Sequence, residues 1–189
     1  MDNLIKQDLT EAREILDQFI NTPGNIDNIV KAGDILVQSL KSGGKAISCG
    51  NGGSMSDTMH FAEELTGYFR GKRDSVAAIA ISDPTHITCV ANDDGFDKIF
   101  SRYLEAVGKP GEVLLAISTS GNSGNVVEAA KTAREKGMKI IALTGKTGGQ
   151  LANLADVEIR APHSSFSDRV QEIHIKVIHA LIHYIEEHL

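Results

Sequence analysis

Between residues 3 and 20 the apolar positions Leu4, Leu9, Ile15, Leu16, Phe19 and Ile20 fall on one helical face, with acidic residues gathered early in the segment. This spacing predicts an amphipathic helix. The turn-prone Asn21-Thr22-Pro23-Gly24 ends it, and Ile29, Ala32, Ile35, Leu36 and Leu40 carry a second helical stripe from Ile26 until Ser42-Gly43-Gly44 stops the pattern. Residues 1–42 therefore read as a helical hairpin. Beyond Gly44 come short, nearly continuous apolar runs, Ala46 to Cys49, Ala77 to Ile81, Val113 to Ile117, Lys139 to Leu143 and Val157 to Ile159, each followed by a polar loop and a helical pattern. Strands of that texture alternating with helices predict a doubly wound α/β domain with a parallel sheet covered on both faces. From Arg169 to Leu189 the positions Val170, Ile173, Ile175, Val177, Ile178, Leu181, Ile182 and Ile185 run around a helix too apolar for a monomer's surface. Burial of that helix partly by another subunit is the expectation.

Composition narrows the class. The chain has 189 residues, 41% hydrophobic and 23% charged, enough for one compact soluble domain. Cys49 and Cys89 form no disulfide framework, so a reducing, cytoplasmic setting is expected. No long apolar run and no signal-like leader is present, which argues against a membrane or secreted protein. A net charge of -6 argues against nucleic acid as partner, because phosphate backbones are held by clustered Lys and Arg.

Two strand-to-helix loops carry the candidate chemistry: Cys49-Gly50-Asn51-Gly52-Gly53-Ser54 and Ile117-Ser118-Thr119-Ser120-Gly121-Asn122-Ser123. Exposed backbone N–H groups and the helix dipole favour an anion at such a junction. Hydroxyls of Ser54, Ser118, Thr119, Ser120 and Ser123 add neutral donors, so a phosphate can bind an acidic protein without a lysine. The plainer reading is that Gly and Ser only make tight turns and cap helices. Two matched loops in one open sheet favour a ligand, since such sheets bind at the C-terminal ends of their strands. Neither loop is a dinucleotide fingerprint or a P-loop.

His60 and Glu64, four apart on the helix that the first loop opens, share a face and can converge on one ion or one substrate. A solvated surface pair is the plainer alternative. The terminal helix adds Asp168, Gln171, Glu172, His174, His179 and His183 to an otherwise apolar segment. Gln171 and His179 are eight residues apart, about 12 Å along a helix, so two ligands of one site from this pair come from different subunits. His174 and His183 read as structural or surface residues.

Taken together, SCGNGGS (Ser48 to Ser54), HFAEELTG (His60 to Gly67), AIAISD (Ala78 to Asp83), the Asn92 to Phe96 segment, ISTSGNS (Ile117 to Ser123), REKGMK (Arg134 to Lys139), ALTGK (Ala142 to Lys146) and QEIHIKVIH (Gln171 to His179) make the chain resemble the phosphoheptose isomerases of the sugar isomerase (SIS) domain class over nearly its full length. The resemblance implies one SIS domain over 1–189, with the hairpin 1–42 used in oligomer contacts and 43–189 forming a phosphosugar-binding core around a five-stranded parallel sheet. It implies a homotetramer with active sites at subunit boundaries. It also implies that Ser54, Ser118, Thr119, Ser120 and Ser123 hold phosphate, that Asn51, Gly52, Gly53, Asn92, Asp93 and Gln171 line the sugar, and that Asp168 orients a hydroxyl or imidazole. His60, Glu64, Gln171 and His179 correspond to a zinc site, one ion per subunit, and Glu64 and His179 to an acid/base pair. The implied reaction is an aldose-ketose isomerisation of sedoheptulose 7-phosphate through an enediol, the first step toward ADP-heptose for the lipopolysaccharide core.

Tyr68 stands where such chains commonly carry an arginine, with Arg70 and Arg73 nearby, and His183 replaces an often uncharged residue. The alternative of a different class is a non-enzymatic SIS protein that associates with the replication initiator DnaA. Such relatives lack the second glutamate of HFAEE and the last histidine of the terminal motif, whereas Glu64 and His179 are present. Isomerisation of another phosphosugar would keep the same machinery.

Overall fold

The computed structural model describes residues 2–189. Helices α1 (Asp2–Asn21) and α2 (Asn25–Lys41) form the hairpin, and Gly24 takes up the left-handed turn between them at φ 85°. The rest alternates strand and helix: β1 (Ala46–Gly50), α3 (Gly53–Thr66), β2 (Ala78–Ala80), α4 (Pro84–Asp93), α5 (Ser101–Val107), β3 (Val113–Ser118), α6 (Gly124–Glu135), β4 (Lys139–Thr144), α7 (Gly149–Ala152), β5 (Val157–Arg160) and α8 (Ser167–His188). The five strands pair in parallel in the order β2-β1-β3-β4-β5. The expected doubly wound sheet is therefore present.

Period-two alternation along buried strands builds two cores. Val113, Leu115 and Ile117 of β3 face α2, α3 and α8, together with Phe61, Leu65 and the apolar stripe of α8. Leu114 and Ala116 point to the opposite side, against Val90, Phe100, Leu104 and the inner face of α6. Each fully buried Leu, Ile or Phe contributes about 1.5–3 kcal/mol, so the order of the layers is set by which strand positions are apolar.

One expectation is corrected for most of its residues. Val170, Ile173, Val177, Ile178, Leu181, Ile182 and Ile185 of α8 are buried within the single chain, covered by α2, α3 and the sheet, and Ile175 is half-buried. Apolar surface left open lies instead on α1, where Leu4, Ile5 and Leu9 are 63%, 61% and 69% exposed.

The winding direction decides where a ligand can sit. From β1 the chain goes outward to β2, then returns to place β3 on the other side of β1, so the helices after β1 and β3 lie on opposite faces. A crevice opens between the C-terminal ends of these two strands. The glycine loop and the serine loop both lie at that crevice.

Candidate functional site

The loop after β1 turns through Gly52, at φ 56°, into α3, and Ser54 is buried in its first turn. Gly53 leaves room for a close approach: a Cβ there would stand 2.7 Å from Gln171 Nε2, so the amide of Gln171 on α8 rests directly on the start of α3. Cys49, at the head of this loop, is no nucleophile, because complete burial pushes its thiol up to about 12.

The loop after β3 gathers hydroxyls. Ser118 Oγ lies 2.9 Å from Ser123 Oγ and 3.5 Å from Ser120 Oγ, and Ser120 Oγ accepts from the backbone N–H of Asn122 at 3.1 Å. Ser118 is buried whereas Thr119, Ser120 and Ser123 are half-buried. Ser123 precedes α6, whose N-terminal backbone supplies further donors. Gly121 holds φ 67° with the backbone of Gly148 where a side chain would go, which allows the tight turn. The two loops are joined by Asn51 and Asn125, whose side-chain amides bond reciprocally at 2.9 and 2.8 Å.

Two turns along α3 the chemistry changes from neutral to ionisable. His60 Nε2 lies 3.0 Å from His179 Nε2 of α8 and 3.5 Å from Glu64 Oε1, and its Nδ1 lies 3.7 Å from Glu63 Oε2. The imidazoles meet edge to face, 5.1 Å between centroids. A contact of 3.0 Å between two ring nitrogens needs a hydrogen on one and a lone pair on the other, so at least one ring is neutral. Burial, and then the neighbouring His60, hold His179 below the ordinary histidine pKa, which keeps its ring neutral near pH 7.

The same atoms suit a metal ion. Two nitrogens bound about 2.0–2.1 Å from a tetrahedral ion stand roughly 3.3 Å apart, a spacing bracketed by the separations around His60 Nε2. His60, Glu63 and Glu64 also offer ligand atoms all within 4.8 Å of one another. Two imidazoles and a carboxylate form a donor set that zinc accepts. Gln171 lies at the Gly53 end, about 10 Å of helix from His60, so within one chain it stands apart from this cluster.

The remaining expected residues sit further out. Asn92 and Asp93 end α4 on exposed surface, with Asn92 Nδ2 donating to Asp93 Oδ1 at 2.8 Å. Asp168 is exposed in the first turn of α8, 3.7 Å from the Arg169 guanidinium. Eleven residues, about 16 Å of helix, separate it from His179, so in one chain it does not reach that imidazole. Tyr68 is exposed, Arg70 lies beside His183 at 3.3 Å, and the Arg73 guanidinium is occupied inside the fold by Glu186.

Two residues near the site escaped the sequence reading. Asn125 is buried and joins the loops, but nothing in the ISTSGNS run marks the asparagine two residues beyond it. Asp57 precedes His60 by one turn, and its Oδ2 is buried with no hydrogen-bond partner among the described residues. Burial pushes its carboxyl up to about 6, with nearby His60 opposing the rise. The i, i+3 spacing to His60 was a readable signal.

Comparison with known proteins identifies the family. The SIS domain family pattern matches residues 9–145. A phosphoheptose isomerase of Proteus mirabilis is 59% identical over 99% of this chain and 97% of its own length, and one of Salmonella paratyphi B is 60% identical over the same shares. The solved structure of a phosphoheptose isomerase from Neisseria gonorrhoeae superposes with a TM-score of 0.92 at 38% identity, covering 98% of each chain. Matched over nearly its whole length in both sequence and fold, the chain belongs to the SIS domain family, among the phosphoheptose isomerases.

Proposed function

We propose that the protein converts sedoheptulose 7-phosphate to D-glycero-D-manno-heptose 7-phosphate. The single observation carrying this is the meeting of Glu64, His60 and His179 two turns beyond a paired glycine loop and serine loop. Phosphate is held at the loops by hydroxyls of Ser54, Ser118, Thr119, Ser120 and Ser123 and by helix N-termini. Asn51, Gly52, Gly53, Asn92, Asp93, Asp168 and Gln171 are the proposed sugar contacts.

The reaction moves two hydrogens. Glu64 removes the proton from C1 of the ketose, the C1–C2 bond becomes that of an enediol, and a proton returned to C2 leaves an aldehyde at C1. His179, neutral at the outset, shuttles the proton between the two oxygens. In this reading Glu64 serves the two carbons and His179 the two oxygens of one two-carbon unit. His60, Glu64 and His179, with Gln171 as a further ligand, would hold zinc, one ion per subunit, which supplies Lewis-acid stabilisation of enediolate charge.

The separation of Gln171 from His179 along α8 supports sites completed by a neighbouring subunit, and the open apolar stripe of α1 supports assembly through the hairpin, as a homotetramer. No helix among the described residues is long and apolar enough to cross a membrane. We place the activity in the cytoplasm, feeding ADP-heptose synthesis for the lipopolysaccharide core. The DnaA-associating alternative gains nothing from the relatives, which are named as isomerases. The test is to incubate the purified protein with a panel of phosphosugars and identify products by NMR. Aldose formed from sedoheptulose 7-phosphate supports the reading, and turnover only of other sugars overturns the substrate.

A further inference from the structure

Arg73 lies in the loop between α3 and β2, and its guanidinium has four partners. Nη2 donates to the Glu64 carbonyl at 2.6 Å, Nη1 to the carbonyls of Leu65 at 2.8 Å and Asp74 at 3.0 Å, and Nε to Glu186 Oε1 at 2.9 Å. The first two carbonyls belong to the last turn of α3, where no further helical N–H is available to satisfy them. Glu186 stands on α8 seven residues, about two turns, after His179. Its carboxylate also accepts from the backbone N–H groups of Phe69 at 3.3 Å and Arg70 at 3.2 Å. Both side chains of the pair are largely withdrawn from water, 15% and 8% exposed.

One ion pair thus ties together three things: the helix end that carries Glu64, the helix that carries His179, and the loop whose Phe69 ring lies 5.6 Å from the His179 ring. At their other end the same two helices are fixed by the contact of Gln171 with Gly53. We propose that Arg73 and Glu186 form a positioning clamp that sets the separation of Glu64 and His179. The inference rests on the isomerase reading above for the identity of the reacting groups. Arg73 touches no substrate in this role. A planar guanidinium reaches four acceptors in fixed directions, and an ammonium cannot.

The phosphate loops lie at the opposite end of α3, so loosening the clamp disturbs proton transfer and leaves phosphate binding in place. In Glu186→Gln and Arg73→Lys, kcat is expected to fall about 10- to 100-fold, the scale of an ångström's misplacement, with KM within about twofold of wild type. The double variant is expected to be no worse than the poorer single variant, because one interaction is lost once. Crystal structures of both variants are expected to show the His60–His179 nitrogen separation widened beyond 3.0 Å. Folded variants with kcat within about twofold of wild type and an unchanged separation overturn the clamp. So does loss of activity only in step with loss of folding in both variants, which makes the pair a fold element. If the wild-type protein turns over no phosphosugar, the isomerase reading fails on its own, and the crystallographic separation alone then decides the clamp.

Discussion

Asn51 and Asn125 exchange two side-chain hydrogen bonds, at 2.9 and 2.8 Å, across the gap between the loops after β1 and β3. Asn125 is buried, and its Oδ1 also accepts from the Val126 backbone N–H. A paired amide has no charge to repel an anion, yet it fixes the spacing of two loops at the C-terminal ends of β1 and β3. Asn125→Leu leaves the Asn51 amide without its partner and removes the acceptor of Val126. A stability loss of about 1–3 kcal/mol is expected from urea unfolding, with KM for sedoheptulose 7-phosphate raised more than kcat is lowered. An unchanged KM would show that the loops hold their spacing without the pair.

Glu64 is the proposed base, and its neighbour Glu63 supplies the control. The Glu64 side chain is 17% exposed against 67% for Glu63, and both lie within 4 Å of His60. Glu64→Gln is expected to keep the fold and substrate binding and to cut turnover about 10²-fold or more. Glu63→Gln, which removes a mostly solvated carboxylate, is expected to cost less than about threefold. Equal losses in the two variants would mean that local negative charge, rather than a base at Glu64, is what the reaction needs.

Much of this arrangement was legible in the residues, and the parts that were not share a cause. The central strands β1, β3 and β4 follow from apolar runs because a strand buried on both faces has no other way to be written, and the edge strands β2 and β5 follow from shorter runs that are half-buried or alternate. His60 and Glu64 were readable as one face because helix periodicity is local. The approach of His179 to His60 depends on how α8 lies against α3, a long-range choice that spacing within either helix leaves open. The α8 stripe was assigned in part to a partner for the same reason: periodicity says that a face must be covered, without saying by what. The pairing of Arg73 with Glu186, 113 residues apart, is likewise set by how the loop after α3 meets α8.

Within one chain Gln171 rests on Gly53 while His179 reaches His60, so their joint use at one site needs two subunits. Inactive Gln171→Ala chains mixed with inactive His179→Ala chains are expected to regain part of the activity after subunit exchange, since some sites then receive both intact residues. Mixed oligomers, verified by mass, that stay inactive would show that each site is completed within one chain.

Zinc binding provides a test independent of turnover. Titration of demetallated protein with zinc is expected to show binding that His60→Ala weakens, and the same variant is expected to lose activity. His183→Ala is expected to change neither, because that ring is 40% exposed and its neighbours are Arg70 and Glu187. Removing zinc is expected to lower turnover without unfolding the chain, since both cores are built from apolar side chains. Full turnover in exhaustively demetallated protein would leave proton transfer to Glu64 and His179 alone.

His174 links the terminal helix to the sheet and sets a pH limit on stability. It is fully buried, and its Nε2 donates to the Thr144 carbonyl at 2.9 Å while Nδ1 has no partner among the described residues. A proton added at Nδ1 would be buried without an acceptor, and burial accordingly pushes the ring down to about 4. The unfolded chain takes up that proton near pH 6.5, so between about 6.5 and 4 the unfolded state binds more protons. The stability due to this group is therefore complete above pH 6.5, declines as pH falls through that window, and levels off below 4. The full displacement corresponds to on the order of 3 kcal/mol. His174→Asn is expected to be less stable than wild type at pH 7.5, through lost packing, with the gap narrowing toward pH 4.5 in urea unfolding. A gap that stays constant across that range would mean that the buried ring accepts its proton as readily as an exposed one.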